Sequence, residues 1–151
     1  QLAYDGLPFR LIVLGTSTNK YPPIFDEAKE KLKDHIFHFG EVETLEEYAQ
    51  LLDLADIGLC TSYQDFFGIS VVESIFMNCH PILPNRLAYP EHIPDQYSKE
   101  VFYSNEQEMK RKVIEAIYRL NIIRSRDYSS WVSHYDWNQL IDKYDKVLEI
   151  N

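Results

Sequence analysis

The sequence has little cysteine, little glycine and no long apolar run. Its 151 residues include only Cys60 and Cys79 as cysteines. Two cysteines cannot build a disulfide framework, and the absence of a C-x-x-C spacing argues against a zinc or dithiol site. No apolar run reaches the ~18–20 residues that span a bilayer. We therefore expect a soluble, cytoplasmic protein with no membrane span.

Basic residues are also scarce. Lysine and arginine number 15 against 24 acidic residues, which gives a formal net charge of −9. This balance lacks the broad basic surface that binds a nucleic-acid backbone, so a stand-alone nucleic-acid binder is excluded. The 45% hydrophobic content is that of a folded globular domain. The length predicts a single domain over residues 1–151.

Short apolar runs alternate with amphipathic stretches along the chain. Strands are predicted at residues 9–14, 35–39, 56–61, 80–83 and 101–103. Helices are predicted at residues 24–32, 45–52, 69–77, 109–120 and 137–148. Thr44 with Glu47, and Ser104 with Gln107, have the capping-box spacing. The alternation predicts an α/β, Rossmann-like parallel sheet with helices on both faces.

Ligands of such sheets bind outside the carboxyl ends of the strands. The candidate loops are residues 15–19, 40–43, 62–68 and 84–90, and we expect all four at one edge of the sheet. Three of the 5 glycines, Gly15, Gly40 and Gly68, lie in these loops.

The most informative segment is residues 61–73. A predicted strand ends there, Asp65 lies in a short loop, Gly68 lets the backbone turn, and a helix begins near Ile69. The first turn leaves the N–H groups of Gly68, Ile69, Ser70 and Val71 without intrahelical acceptors. Together with the helix dipole they predict a site for a phosphate or diphosphate.

Two carboxylates flank this predicted anion site. Glu73 lies about one turn into the helix and leans toward the same opening as Asp65. A carboxylate can accept two hydrogen bonds from a vicinal diol, so a phosphate site between two acids suits a nucleotide sugar. The alternative is an ordinary loop acid and a solvated helix acid, as most acidic residues are.

The ordered motifs resemble a known family. Asp65 and Glu73 are separated by seven residues that include Phe66-Phe67-Gly68. Three other segments carry the likeness: a strand–glycine loop at residues 37–42, a helix, Ala-Asp and strand at residues 48–62, and the start of a Trp-containing closing helix at residues 134–137. This set resembles the C-terminal, donor-binding half of retaining glycosyltransferases with the GT-B fold, whose motif is Glu, seven residues, Glu. Residues 65–74 and 84–94 are more narrowly similar to the queuosine-tRNA mannosyltransferase group.

The resemblance implies roles for individual residues. Asp65, shorter by one methylene than the family's Glu, would be the catalytic-site acid that holds the donor sugar's hydroxyls, and Glu73 would hold the ribose hydroxyls. Gly15 would lie near the acceptor-facing cleft. The other implied substrate-binding residues are Phe67, Gly68, Ile69 and Ser70 for the sugar and diphosphate, and Gly40, Glu41 and Val42 for the base.

The resemblance also implies what surrounds the chain. The family's first strand and helix, which carry an Arg and a Lys for the diphosphate, and its whole N-terminal acceptor domain are expected to lie outside the sequence. The implied donor is a nucleotide sugar, with GDP-mannose as the candidate. The acceptor would be a tRNA, bound mainly by the missing half, and no metal or other cofactor is expected. This part alone would be inactive.

Two other functions fit the same residues. The chain could be a nucleotide or sugar-phosphate binding module without transfer activity, or a structural interaction domain with no ligand at Gly68. The cluster Lys110-Arg111-Lys112 indicates a solvated helix face, with a tRNA contact as the alternative. The five histidines have no ligand-like spacing, and Ser70 lacks the Gly-x-Ser-x-Gly of a hydrolase elbow.

Overall fold

The computed structural model describes residues 3, 6–15 and 22–148. The chain divides into two compact units, Gln1–Leu54 and Ala55–Asn151. In both units helices alternate with parallel strands, which confirms the predicted α/β class. Within the described ranges the strands form two hydrogen-bonded sheets, one in each unit, where the sequence predicted one sheet.

The first unit has two strands and two helices. These are β1 (Leu11–Leu14), α1 (Pro23–Lys31), β2 (Ile36–Gly40) and α2 (Leu45–Asp53). β1 and β2 pair in parallel, with Leu14 opposite Gly40. The capping prediction at Thr44 is confirmed, since its Oγ1 accepts the Glu47 N–H over 3.1 Å. The Glu47 carboxylate accepts the N–H of Glu43, one residue before the cap, over 3.0 Å.

The second unit is built on three parallel strands in the order β3–β4–β5. Its strands are β3 (Ile57–Leu59), β4 (His80–Pro84) and β5 (Phe102–Tyr103). Its helices are α3 (Ile69–Phe76), α4 (Ser98–Val101), α5 (Glu106–Tyr118), α6 (Leu120–Arg124), α7 (Ser129–Val132) and α8 (Trp137–Leu148). Short 3-10 turns occupy Tyr89–His92, Asp95–Tyr97 and Ser133–Tyr135.

The core of the second unit surrounds β4, all five residues of which are buried. α3 buries Val71 and Ile75, four positions apart on one helix face. Full burial of a side chain such as Ile75 contributes about 1.5–3 kcal/mol. α3 approaches β3 so closely that a Cβ on Gly58 would lie 2.9 Å from the Ser74 Oγ. A strand glycine is thus what allows this helix to pack.

The C-terminal helices differ from the prediction in three details. The cap of α5 is Asn105, not Ser104, because the Asn105 Oδ1 accepts the Glu108 N–H over 2.9 Å. The predicted helix 109–120 breaks at Arg119 into α5 and α6. Lys112 is buried and not solvated: its Nζ donates to the carbonyl of Lys99 over 2.6 Å.

Among the described helices, none has the length and apolar character needed to cross a membrane.

Candidate functional site

The loops that follow β3 and β4 leave the sheet at the same edge, because the two strands are parallel. Asp65 in the first loop and Tyr89 after the second are in hydrogen-bond contact. In the first unit the Gly15 N–H donates to the Gly40 carbonyl over 3.2 Å. The predicted loops therefore meet pairwise within each unit; residues 16–19 of the first loop lie outside the described residues.

Asp65 ties the β3–α3 loop together. Its Oδ1 accepts the backbone N–H of Gly68 over 2.8 Å, and its Oδ2 accepts the hydroxyl hydrogen of Tyr89 over 3.0 Å. The residue is half-buried. Because both oxygens are held, the carboxylate has a fixed orientation beside the start of α3.

Gly68 caps α3 in a conformation that favours glycine. Its φ of 86° and ψ of 46° lie in the left-handed region. A Cβ at this position would lie 2.8 Å from Cε1 of Tyr89, well inside van der Waals contact. Both the backbone angles and the close approach of the tyrosine ring therefore require a residue without a side chain.

Tyr89 is fully buried beneath this turn. Its hydroxyl oxygen accepts the Cys60 thiol hydrogen over 3.2 Å while the hydroxyl donates to Asp65. Burial raises the pKa of the Tyr89 hydroxyl, and the contacts with Cys60 and Asp65 raise it further. The hydroxyl therefore stays protonated and remains a donor to Asp65 at neutral pH.

The N-terminus of α3 has fewer free N–H groups than predicted. The Gly68 N–H is bound by Asp65, and the Val71 N–H donates to the Gly68 carbonyl over 2.9 Å. The predicted anion site therefore keeps two of its four N–H groups, because the turn supplies acceptors for the other two. Among the described residues no acceptor faces the N–H groups of Ile69 and Ser70. These two N–H groups and the positive end of the helix dipole remain for an anion.

Glu73 lies on α3 and is exposed. It follows Ile69 by four positions and Ser70 by three, so the three residues share one helix face. Since helical side chains lean toward the N-terminus, Glu73 extends toward the turn that carries the free N–H groups. Its predicted position beside the anion site is consistent with this helical spacing.

The backbone at Phe67 is held by a residue that the sequence did not single out for the site. His92 is buried, and its Nε2–H donates to the Phe67 carbonyl over 2.6 Å. Its Nδ1 then accepts the hydroxyl of Tyr135 over 2.9 Å, which sets the imidazole tautomer. The Phe67 ring lies edge-on to both rings. The neighbouring Phe66 is fully exposed, as expected for adjacent loop aromatics with different environments.

The remaining predicted residues lie in the first unit. Gly40 ends β2, Glu41 is exposed and Val42 is half-buried in the loop before α2. Gly15 follows β1 directly. Within the described part of the chain, no cluster of three or more histidine, cysteine or acidic side chains could hold a metal ion.

This parallel-stranded fold, with an acidic loop beside a helix N-terminus, is consistent with a glycosyltransferase domain. Residues 1–129 match the family model described as "Glycosyl transferases group 1", and the chain belongs to that family. The tRNA-queuosine alpha-mannosyltransferase of Drosophila melanogaster is 34% identical to it over 113 residues. That match covers 75% of this chain and 29% of the fly protein. The matched part of the chain thus spans less than a third of the length of this curated relative.

Proposed function

We propose that this chain is the donor-binding part of a retaining hexosyltransferase that takes mannose from GDP-mannose and transfers it to a queuosine-containing tRNA. The observation that carries the proposal is the 34% identity to a relative named tRNA-queuosine alpha-mannosyltransferase, within a glycosyltransferase family match over residues 1–129. The geometry at the start of α3 supports it, because two N–H groups without acceptors and two acids lie in or beside the first turns of this helix.

The proposed chemistry uses few groups. The donor diphosphate binds the N–H groups of Ile69 and Ser70, and the helix dipole stabilises the charge that develops as the diphosphate leaves. Glu73 accepts hydrogen bonds from the ribose diol. Asp65 holds a sugar hydroxyl, since each of its oxygens retains a second lone pair beyond the bonds to Gly68 and Tyr89.

Other groups complete the proposed enzyme. Phe67 borders the sugar, while Gly40, Glu41 and Val42 border the base and Gly15 borders the acceptor cleft. The rest of the protein supplies most of the acceptor site, because this part of the chain is acidic. We propose a cytoplasmic enzyme that needs no metal, whose donor-binding part does not transfer sugar alone.

One observation favours a second function, a nucleotide or sugar-phosphate binding module without transfer activity. Both oxygens of Asp65 already serve contacts within the protein. A carboxylate committed to holding its loop would leave the phosphate site intact and contribute nothing to a sugar.

The test uses the full-length protein that contains this chain. Mannose transfer from GDP-mannose to queuosine-containing tRNA is measured directly, and binding of GDP, UDP and ADP, with and without sugar, is measured by thermal shift. A bound nucleotide raises the melting temperature in step with its concentration. Binding without transfer would favour the second function, and no shift at millimolar nucleotide would contradict both.

Two variants assign the roles of the acids. Glu73→Gln should abolish binding of GDP and GDP-mannose alike, because the ribose is common to both. Asp65→Asn should keep GDP binding and lose the preference for GDP-mannose. Glu115→Gln, an exposed acid on α5, is the matched control and should change neither. Equal losses in both site variants for both ligands would contradict these roles.

A further inference from the structure

The guanidinium of Arg86 lies in the second unit without an acceptor for its hydrogen bonds. Its Nε is buried, and among the described residues no hydrogen-bond partner meets that atom. Buried polar groups in proteins are nearly always hydrogen-bonded, because an unsatisfied one destabilises the folded state. The group therefore needs an explanation.

Other arginines of this unit show what Arg86 lacks. Arg124 reaches Asp56 over 2.6 Å, and Arg126 reaches Glu100 over 2.6 Å. The chain has 24 acidic residues against 15 basic ones, so carboxylates are abundant. No described carboxylate lies within ion-pair distance of Arg86. An arginine that stays unpaired in so acidic a chain is available to an anion from outside.

Arg86 lies at the edge where the proposed donor site is found. It follows the end of β4 at Pro84 by two residues and precedes Tyr89 by three. Burial raises the pKa of the Tyr103 hydroxyl, and the charge of Arg86 opposes that rise. The guanidinium lies over the ring of Tyr63, four residues beyond the end of β3, so the positive charge is near the β3–α3 loop.

The side chain is held in place before any ligand arrives. The guanidinium carbon lies 4.4 Å from the ring centroid of Tyr63, which is 81% exposed. Such a cation–π contact orients the guanidinium without using its N–H donors. Leu87 follows with a φ of 58°, a conformation that bulky residues rarely adopt outside sites that the surrounding structure constrains.

We propose that Arg86, oriented by Tyr63, binds a phosphate group at the carboxyl edge of β3 and β4. The planar guanidinium presents paired terminal N–H donors that match two phosphate oxygens. This inference rests on the proposed function, which offers two sources of phosphate, the diphosphate of the nucleotide sugar and the backbone of the acceptor RNA.

The experiment uses the full-length protein with Arg86→Gln, Arg86→Lys and Tyr63→Ala. Arg119→Gln, which replaces an exposed arginine at the C-terminal end of α5, is the matched control. Melting temperature without ligand checks that each variant is folded. Calorimetry gives the Kd for GDP and for guanosine, which lacks phosphate, and fluorescence anisotropy gives the Kd for tRNA as a function of salt.

Two results support the inference and identify the source. If the donor supplies the phosphate, Arg86→Gln weakens GDP binding at least about tenfold and leaves guanosine unchanged. If the RNA supplies it, tRNA binding weakens and its log–log salt slope falls by about one, while GDP binding is unchanged. In either case Arg86→Lys recovers only part of the loss, because an ammonium keeps the charge without the paired donors.

The inference is overturned if Arg86→Gln binds GDP and tRNA within about twofold of the wild-type protein. In that event the wild-type protein still binds its ligands, so the proposed function stands. A wild-type protein that binds neither GDP nor tRNA would overturn both.

Discussion

Tyr89 donates its hydroxyl hydrogen to Asp65 over 3.0 Å, and the two residues are 24 positions apart in the chain. The same tyrosine ring lies 2.8 Å from where a Cβ of Gly68 would be. The loop acid, the glycine turn and the buried tyrosine therefore form one unit of structure. Each of them can be tested separately.

Removal of the Tyr89 hydroxyl should affect the donor sugar more than the nucleotide. Tyr89→Phe keeps the ring beneath Gly68 and releases one oxygen of Asp65. A hydrogen bond to a charged group is worth about 1.5–3 kcal/mol, so we expect kcat/KM for transfer to fall by about tenfold or more, with GDP binding unchanged. Steady-state kinetics of the full-length protein measure this.

The control for that variant is Tyr103→Phe. Tyr103 is also buried and donates its hydroxyl hydrogen to the Cys60 carbonyl over 2.7 Å, but it does not contact Asp65. We expect a loss of stability with little change in transfer. Equal losses of kcat/KM in the two variants would show that the Tyr89 hydroxyl acts only through stability.

A side chain at position 68 should destabilise the protein. Gly68→Ala combines a left-handed backbone with a contact of 2.8 Å to the Tyr89 ring, and we expect a cost of about 2–4 kcal/mol in the free energy of unfolding. Gly6→Ala is the comparison, because Gly6 has a φ of 68° with nothing within 4 Å of an added Cβ. Urea denaturation of both variants separates the backbone strain from the steric clash with Tyr89. Equal losses in the free energy of unfolding would exclude a contribution from the clash.

Acid should destabilise the second unit through His80. Burial lowers the pKa of His80 from 6.5 to about 4, with the charge of Glu100 opposing the change. The unfolded chain therefore takes up a proton first, and stability present above pH 6.5 is lost as the pH falls from 6.5 toward about 4. At pH 5 the expected loss in the free energy of unfolding is about 2 kcal/mol.

Urea denaturation at pH 7 and at pH 5 measures this loss. His80→Gln should flatten the pH dependence whatever its stability at neutral pH. His134→Gln, which replaces an exposed histidine, should leave the dependence as it is. A His80→Gln variant that loses as much stability between these pH values as the wild-type protein would contradict the assignment.

Asn78 joins the end of α3 to the start of α7. It adopts a left-handed φ of 64°, and its Oδ1 accepts the backbone N–H groups of Tyr128 over 2.9 Å and Ser129 over 3.1 Å. Asn78→Gly keeps the backbone conformation and loses both bonds, so it should cost about 1–2 kcal/mol. Asn78→Ala adds backbone strain and should cost about 1 kcal/mol more. Urea denaturation compares them, and an unchanged Asn78→Gly variant would contradict the capping role.

Short sequence patterns were enough to predict where most strands and the longer helices of this protein lie. The apolar run that ends at Gly15, the cap at Thr44 and the turn at Gly68 each depend on residues close together in sequence. The order of strands and helices followed from them, and so did the resemblance carried by Asp65 and Glu73. Where local prediction failed, as at Ser104, the neighbouring Asn105 caps the helix one position later, by accepting the Glu108 N–H.

The contacts that shape the candidate site are long-range and could not be read in this way. Tyr89 reaches Asp65 and His92 reaches Phe67 across 24 and 25 positions, respectively. No spacing rule links such residues, because their distance depends on how β4 and the turn after it pack against α3. The same packing leaves Arg86 stacked on Tyr63.

The sequence by itself determined the α/β class, the order of the strands and of the longer helices, the family and the position of an acid–glycine–helix motif. These depend on local conformational preference and on apolar periodicity, which act over a few residues. Only the tertiary structure decided that the carboxylate of Asp65 is held on both oxygens, that two N–H groups at α3 remain free, and that Arg86 is left without an acceptor. Those outcomes depend on which distant side chains reach the same point, and packing alone decides that.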